Sequence, residues 1–344
     1  GVRSLEHAQL PRYAVPALLV GSLVVVGAIL GLTGSFSIGL FVFLAAALFA
    51  VATYVTSRFV EGRRKATDRL VTVVVTSAFL IALAPLISVV VTVVGNGLAR
   101  FDVEFFTSSM RGVVGEGGGG YHAIMGTLII TTLAAVMSIP VGLLAAIYLV
   151  EYGTGRLARA ITFFVDVMTG IPSIVAGLFA FALFAIFFGP GVRMGFGGAV
   201  ALSVLMIPVV VRATEEMLKI VPNELREAAY ALGTPKWRTI VKVVLPTSIA
   251  GIASGITLAI ARVVGETAPL LIIAGLTTAL NLNPFDGRMA TLPVFAYYSY
   301  AAPGVPREPY LDRAWTAALV LIIIVLALNL LARLIARFFA PKTR

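Results

Sequence analysis

The sequence contains no cysteine, which excludes disulfide cross-links and thiolate metal sites. Histidine is almost as rare: His7 and His122 are the whole supply, and neither stands in a metal-ligand spacing. Charge is scarce as well, at 12% of 344 residues, where a soluble domain carries about 25%. No G-x4-G-K-[ST] run occurs, so the loop that cradles ATP phosphates is missing. The glycine stretch GEGGGG at 115–120 lacks the Lys-Ser/Thr that such a loop needs and reads as a flexible connection. These absences leave no enzyme chemistry and no cofactor to expect.

What fills the chain is apolar. Hydrophobic residues make up 59%, gathered in blocks of about 20, the length a helix needs to cross hydrocarbon. Eight blocks lie near 13–32, 36–57, 69–95, 121–150, 161–188, 197–213, 246–275 and 314–338. The expected fold class is all-α, a polytopic transmembrane helical bundle. The first block has no cleavage-site pattern and reads as a retained span.

Lys and Arg are distributed unevenly between the blocks. One alternating set of segments holds nineteen, including Arg3, Arg12, the run 58–69, the run 212–242, Lys342 and Arg344. The other set holds six: Arg100, Arg111, Arg193, Arg288, Arg307 and Arg313. Basic segments mark the cytoplasmic side, so both termini are expected there. The net charge of +10 is thus an orientation signal and not a nucleic-acid footprint.

The first two blocks form a tight hairpin, and the basic segment SRFVEGRRKATDR separates it from the other six. The division expected is an accessory hairpin with its linker over 1–65 and a functional core over 66–344. Pro140 and Pro172 are expected to kink their helices by removing a backbone donor.

A charged insert over 215–244 interrupts the oily core. Within NELREAAYALGTPKWRTIVKVVLP, Leu225, Ala228, Ala229 and Leu232 recur at i, i+3, i+4 and i+7, one stripe of a helix. Gly233 suits the left-handed residue that stops such a helix. Trp237, Ile240, Val241 and Val244 repeat the stripe in a second helix before Pro246. Either the insert packs on its own bundle, or it offers its stripes to another protein. The order Glu227-Ala228-Ala229, then Gly233, then Val243-Val244-Leu245-Pro246 resembles the EAA signature of ABC importer permeases, with Val243 where Ile is usual. The resemblance implies a coupling helix that docks into a separate ATP-hydrolysing subunit. It assigns Glu227, Ala228, Ala229, Gly233, Leu245 and Pro246 to that role.

The other unusual stretch is ARVVGETAPLLIIAG at 261–275, which places Arg262 and Glu266 inside an apolar block. Four residues apart, they are expected on one helical face, with Pro269 loosening the helix just beyond. Charges there cost about 2.5–3.5 kcal/mol each on insertion scales. They either neutralise one another or serve an anion pathway, for which the forked guanidinium suits an oxyanion. Asp166 has three readings: facing a pathway, pairing with a basic residue at the cytoplasmic side, or capping the turn near Thr169.

ARVVGETAPLL resembles the phosphate importer permeases, on the PstA-type side of that family. DVMTGIPSIVAGLF (166–179), GTLIITTLAAVMSIPVGLLAAIYLVEYG (126–153) and TLPVFAYYSYA (291–301) resemble it too. The resemblance covers about 66–340 and implies a six-helix core in a bacterial cell membrane. It implies a PstC-like permease partner, two copies of a cytoplasmic ATP-binding subunit and an extracytoplasmic phosphate-binding protein, besides the membrane lipid. Arg262, Glu266, Thr267 and Asp166 are then expected at the substrate pathway or gate. The alternative is an ABC importer permease for another oxyanion or small solute.

Overall fold

The computed structural model describes residues 9–339; Arg3, His7, Lys342 and Arg344 lie outside the described residues. Among the described residues regular structure is entirely helical. In chain order the helices are α1 (Ala14–Leu32), α2 (Ile38–Val60), α3 (Arg63–Gly97), α4 (Val103–Thr107), α5 (Tyr121–Ile147), α6 (Arg156–Thr169) and α7 (Ser173–Phe188). There follow α8 (Gly195–Ile220), α9 (Asn223–Ala231), α10 (Lys236–Thr239), α11 (Leu245–Val264), α12 (Ala268–Ile273), α13 (Leu292–Ala301) and α14 (Glu308–Phe339). Short π turns extend α5 over Tyr148–Tyr152 and join α10 to α11 over Ile240–Val244. Seven continuous helical runs are long and apolar enough to span a bilayer, and α6 with α7 makes a broken eighth.

Two expected spans are interrupted, each for a reason visible in the chain. The block at 161–188 is not one helix: α6 and α7 meet at 109° across Gly170–Pro172. Pro172 offers no N–H and disfavours helical geometry at Ile171, so α6 cannot run on. The block at 246–275 also breaks, but between Arg262 and Glu266 rather than beyond them. The pyrrolidine ring clashes with a helical carbonyl four residues upstream, here that of Gly265. The helix accordingly stops at Val264, and Pro269 falls in the first turn of α12.

Within α3 the chain divides into two compact units, Gly1–Thr92 and Val93–Arg344. In the first, α1 lies along α2 through Val26, Leu30 and Ala45, with Phe41 packed against them. At the turn after α2, the buried Glu61 accepts two bonds from Arg69 (2.6 and 2.8 Å), one from Ser57 Oγ (2.7 Å) and one from the Leu10 N–H (3.0 Å). The Arg69 guanidinium, above all, holds the Glu61 carboxyl at about 2 despite its burial, well below the ordinary 4.5.

The second unit is built around α8, which packs along α5 and α11. Its core joins Ile130, Ala134, Leu202, Met206, Val210 and Val263. In lipid there is little hydrophobic drive between helices, so close contact through small residues must hold them. A Cβ on Gly142 would lie 2.6 Å from Val210 Cγ1, which only glycine allows at this approach. The same device seats α12: a Cβ on Gly177 of α7 would lie 2.5 Å from Pro269 Cα.

Candidate coupling and pathway sites

The insert folds as a helical hairpin. Helix α9 follows Pro222 and carries Glu224 in its first turn, where free N–H groups favour an acid. It ends in a Schellman motif: the Thr234 N–H donates to Ala229 O at 3.1 Å and the Gly233 N–H to Tyr230 O at 2.9 Å. Gly233 takes φ +73°, the left-handed geometry expected of it. No residue of α9 is buried, so its stripe is not packed on the chain's own bundle. Leu225, Glu227, Ala228 and Leu232 are exposed and Ala229 is half-buried.

The second stripe does not survive. The π turn changes the residue spacing, so Trp237 and Val241 face outward while Ile240 and Val244 are buried. Leu245 is half-buried and Pro246 exposed at the start of α11. The open apolar surface is therefore Leu225 and Leu232 from α9 with Trp237 and Val241 from the second arm.

A clamp fastens α9 to the span before it. Arg226 Nη2 donates to Glu151 Oε1 at 2.8 Å, and its Nε to the same oxygen at 3.1 Å. Further bonds reach Val221 O (2.6 Å) and Leu218 O (3.0 Å), which are carbonyls at the end of α8. Glu151 lies buried in the π turn extending α5. Neither residue was singled out from the sequence. The only signal was an acid at the end of an apolar block, with its partner 75 positions away.

Arg262 and Glu266 do not share a helical face. Arg262 is exposed in the last turn of α11, Gly265 ends that helix, and Glu266 lies in the break. Among the described residues no ion pair joins them or occupies either one. Thr267 stands at the N-terminus of α12 without a side-chain capping bond, half-buried. Asp166 belongs elsewhere: it accepts from Arg212 of α8, whose Nη1 also donates to Glu215 Oε2 at 2.8 Å. Of its three sequence readings, pairing with a basic residue is the one observed. Among the described residues no bond brings Asp166 to Arg262, Glu266 or Thr267.

The start of α8, about 26 Å from Arg212 at 1.5 Å per residue, carries a different charge pattern. Arg193 and Arg288 both approach Gly275, their Cδ atoms each 3.3 Å from the point a Cβ would occupy there. Among the described residues neither guanidinium has an acidic partner. Nearby, the run 115–120 is not the flexible connection expected. Arg313, fully buried, donates to Gly115 O (2.7 Å) and Gly117 O (2.8 Å), and Arg100 donates to Gly118 O (2.8 Å). A Cβ on Gly119 would fall 2.5 Å from Phe105 O, so the glycines serve close packing.

Residues 138–344 match the family described as binding-protein-dependent transport system inner membrane component. Phosphate transport system permease protein PstA 1 of Mycobacterium tuberculosis is 49% identical over 285 residues, covering 82% of this chain and 91% of that protein. The PstA of Pasteurella multocida is 39% identical over 74% of this chain and 87% of its own length. The chain belongs to this family, on its PstA branch. Solved folds agree with the permease's helical architecture. A bacterial alginate ABC transporter in complex with its pentasaccharide-bound periplasmic protein covers 80% of the permease and 96% of that chain, with TM-score 0.56 and 16% identity. The inward-facing MetNI methionine ABC transporter covers 64% and 94%, with TM-score 0.50 and 21% identity.

Proposed function

We propose that the chain is the permease subunit of an ATP-driven importer of inorganic phosphate in the bacterial cell membrane. It forms half of the translocation pathway beside a PstC-like subunit, with both termini in the cytoplasm. A phosphate-binding protein delivers the anion outside, and two cytoplasmic ATP-binding subunits supply the energy. The core over 66–344 carries transport, and 1–65 is accessory to it.

The observation that carries the pathway reading is that Arg262 forms no ion pair among the described residues. A guanidinium inside an apolar block, four residues from a carboxylate it does not meet, keeps its fork of donors free for an arriving oxyanion. Glu266, held in the helix break, provides a competing anion nearby and so suits a gate. Thr267 stands at the start of the short helix beyond it, and Asp166 tethers Arg212 at the pathway's cytoplasmic flank. Glu227, Ala228, Ala229 and Gly233 form the coupling helix, with Leu245 and Pro246 at the root of its second arm. Its exposed apolar residues meet the ATPase, and the Arg226–Glu151 clamp carries motion into α5. The permease itself supplies differential contacts to two states of the assembly.

Uptake of labelled phosphate, with sulfate and molybdate as competitors, tests the reading. Wild-type uptake blocked only by phosphate analogues, and lost in Arg262→Gln, is expected. Equal uptake of sulfate would move the permease to another oxyanion.

A further inference from the structure

The first compact unit carries three cavities that run into one another. The outermost is lined by Arg63, Arg64, Lys65 and Asp68. Lys65 and Asp68 also line a second, of 420 Å³, whose Val15, Thr72 and Val73 in turn line a third, of 450 Å³. The third is a groove between α1, α2 and α3 with almost wholly apolar walls, reaching from Thr72 to Ala84 along α3. The path thus grades from cationic through polar to oily.

Charge is unbalanced at the cationic end. Glu61 is fully engaged with Arg69, Ser57 and the Leu10 N–H, and so is not available to neighbours. Among the described residues Arg63, Arg64 and Lys65 form no ion pair, and all three are exposed. Asp68, the one other acid lining these cavities among the described residues, leaves an excess of positive charge. The groove's length is equally telling. Twelve residues of helix rise about 18 Å, close to the roughly 15 Å hydrocarbon depth of one leaflet. A soluble anion would use the cations and leave the groove empty, and a peptide would have no reason to match a leaflet.

We propose that this path binds one anionic phospholipid, its headgroup phosphate among Arg63, Arg64 and Lys65 and one acyl chain along the groove. The site lies outside the transport machinery and needs no other subunit. Lys and Arg near a membrane surface attract anionic lipid by about 1 kcal/mol each, or about fivefold in affinity per cation. The groove adds a fixed position that a merely basic surface lacks.

The test uses the full chain reconstituted in vesicles of equal phosphatidylglycerol and phosphatidylcholine, then released into mild detergent for native mass spectrometry. One retained phosphatidylglycerol per chain is expected. The triple variant Arg63→Gln, Arg64→Gln, Lys65→Gln should retain at least tenfold less, and Arg63→Lys with Arg64→Lys should retain it. Thr76→Trp, which fills the groove from an exposed position and leaves the cations intact, should release it as well. Equal retention of phosphatidylcholine by the unaltered chain would overturn the proposal. So would full retention in the triple variant, or in Thr76→Trp.

Discussion

Arg226 and the buried Glu151, 75 residues apart in sequence, form an ion pair at 2.8 Å that ties α9 to the end of α5. Removing Arg226 leaves the buried Glu151 carboxylate unanswered, at a cost of about 3–5 kcal/mol. Arg226→Gln or Glu151→Gln should therefore loosen α9 while the spans stay inserted. ATPase turnover in the assembled transporter would persist but no longer respond to loaded binding protein. Exchanging the charges, with Glu151→Arg and Arg226→Glu together, should restore part of that response. Full coupling in either single variant would refute the clamp.

At Gly233 the backbone is left-handed, at φ +73°. Any L residue there costs about 1–2 kcal/mol, and proline cannot adopt the angle at all. Gly233→Ala should weaken ATPase association modestly and Gly233→Pro should abolish it. Glu227→Lys, on the exposed face, should do likewise. Co-purification of the ATPase subunits measures all three; normal recovery with the proline variant sinks the docking role.

Arg262→Gln removes a charge that has no partner among the described residues, so it should leave assembly intact. Phosphate uptake should fall by at least a hundredfold, the worth of roughly 3 kcal/mol of charge-assisted hydrogen bonding. Glu266→Gln should act differently, altering the phosphate dependence of transport-linked ATP hydrolysis. Unchanged uptake in Arg262→Gln excludes it from the pathway.

The Glu61 carboxyl sits at about 2 against an ordinary 4.5. A depressed carboxylate pKa stabilises the folded state above the unfolded value and loses that contribution as pH falls through the folded one. The junction after α2 should therefore be equally stable from neutrality down to about pH 4.5 and weaken between there and about 2. Hydrogen exchange of the backbone amides near Glu61, corrected for intrinsic rates, reads this directly. Glu61→Gln should be loose at every pH; a pH response unchanged in that variant would assign the effect to another group.

Orientation is open to direct labelling, because a chain without cysteine has no background. Glu116 is exposed beside the clamped glycines, which makes it a better probe position than its neighbours. Glu116→Cys should react with an impermeant maleimide in intact cells. Reaction only after lysis would reverse the assigned topology.

Much of the architecture was legible in advance because bilayer thickness imposes a length on every apolar block. The stop of α9 was legible too, since Gly233 is one residue with one conformational reason. The helix breaks were harder. Pro172 and Pro269 were both visible, but where a chain breaks depends on which upstream carbonyl the ring displaces and what holds the pieces afterwards. For α12 that support is Gly177 of α7, 92 positions before Pro269. The π turn over Ile240–Val244 left no periodic trace, so the second apolar stripe was drawn straight through it.

By itself the sequence determined an all-helical membrane chain, the position of the exposed helix α9 and the residue that ends it. These follow from local physics: hydrophobic length, the i, i+3, i+4 repeat and backbone freedom at a single glycine. The partners of the charges were decided only in three dimensions. Asp166 went to Arg212 and Glu151 to Arg226, while Arg262 and Glu266, four apart, were separated by the break at Gly265. In a medium that solvates ions poorly, pairing is governed by which side chains the packed helices bring within reach, and spacing along the chain does not record it.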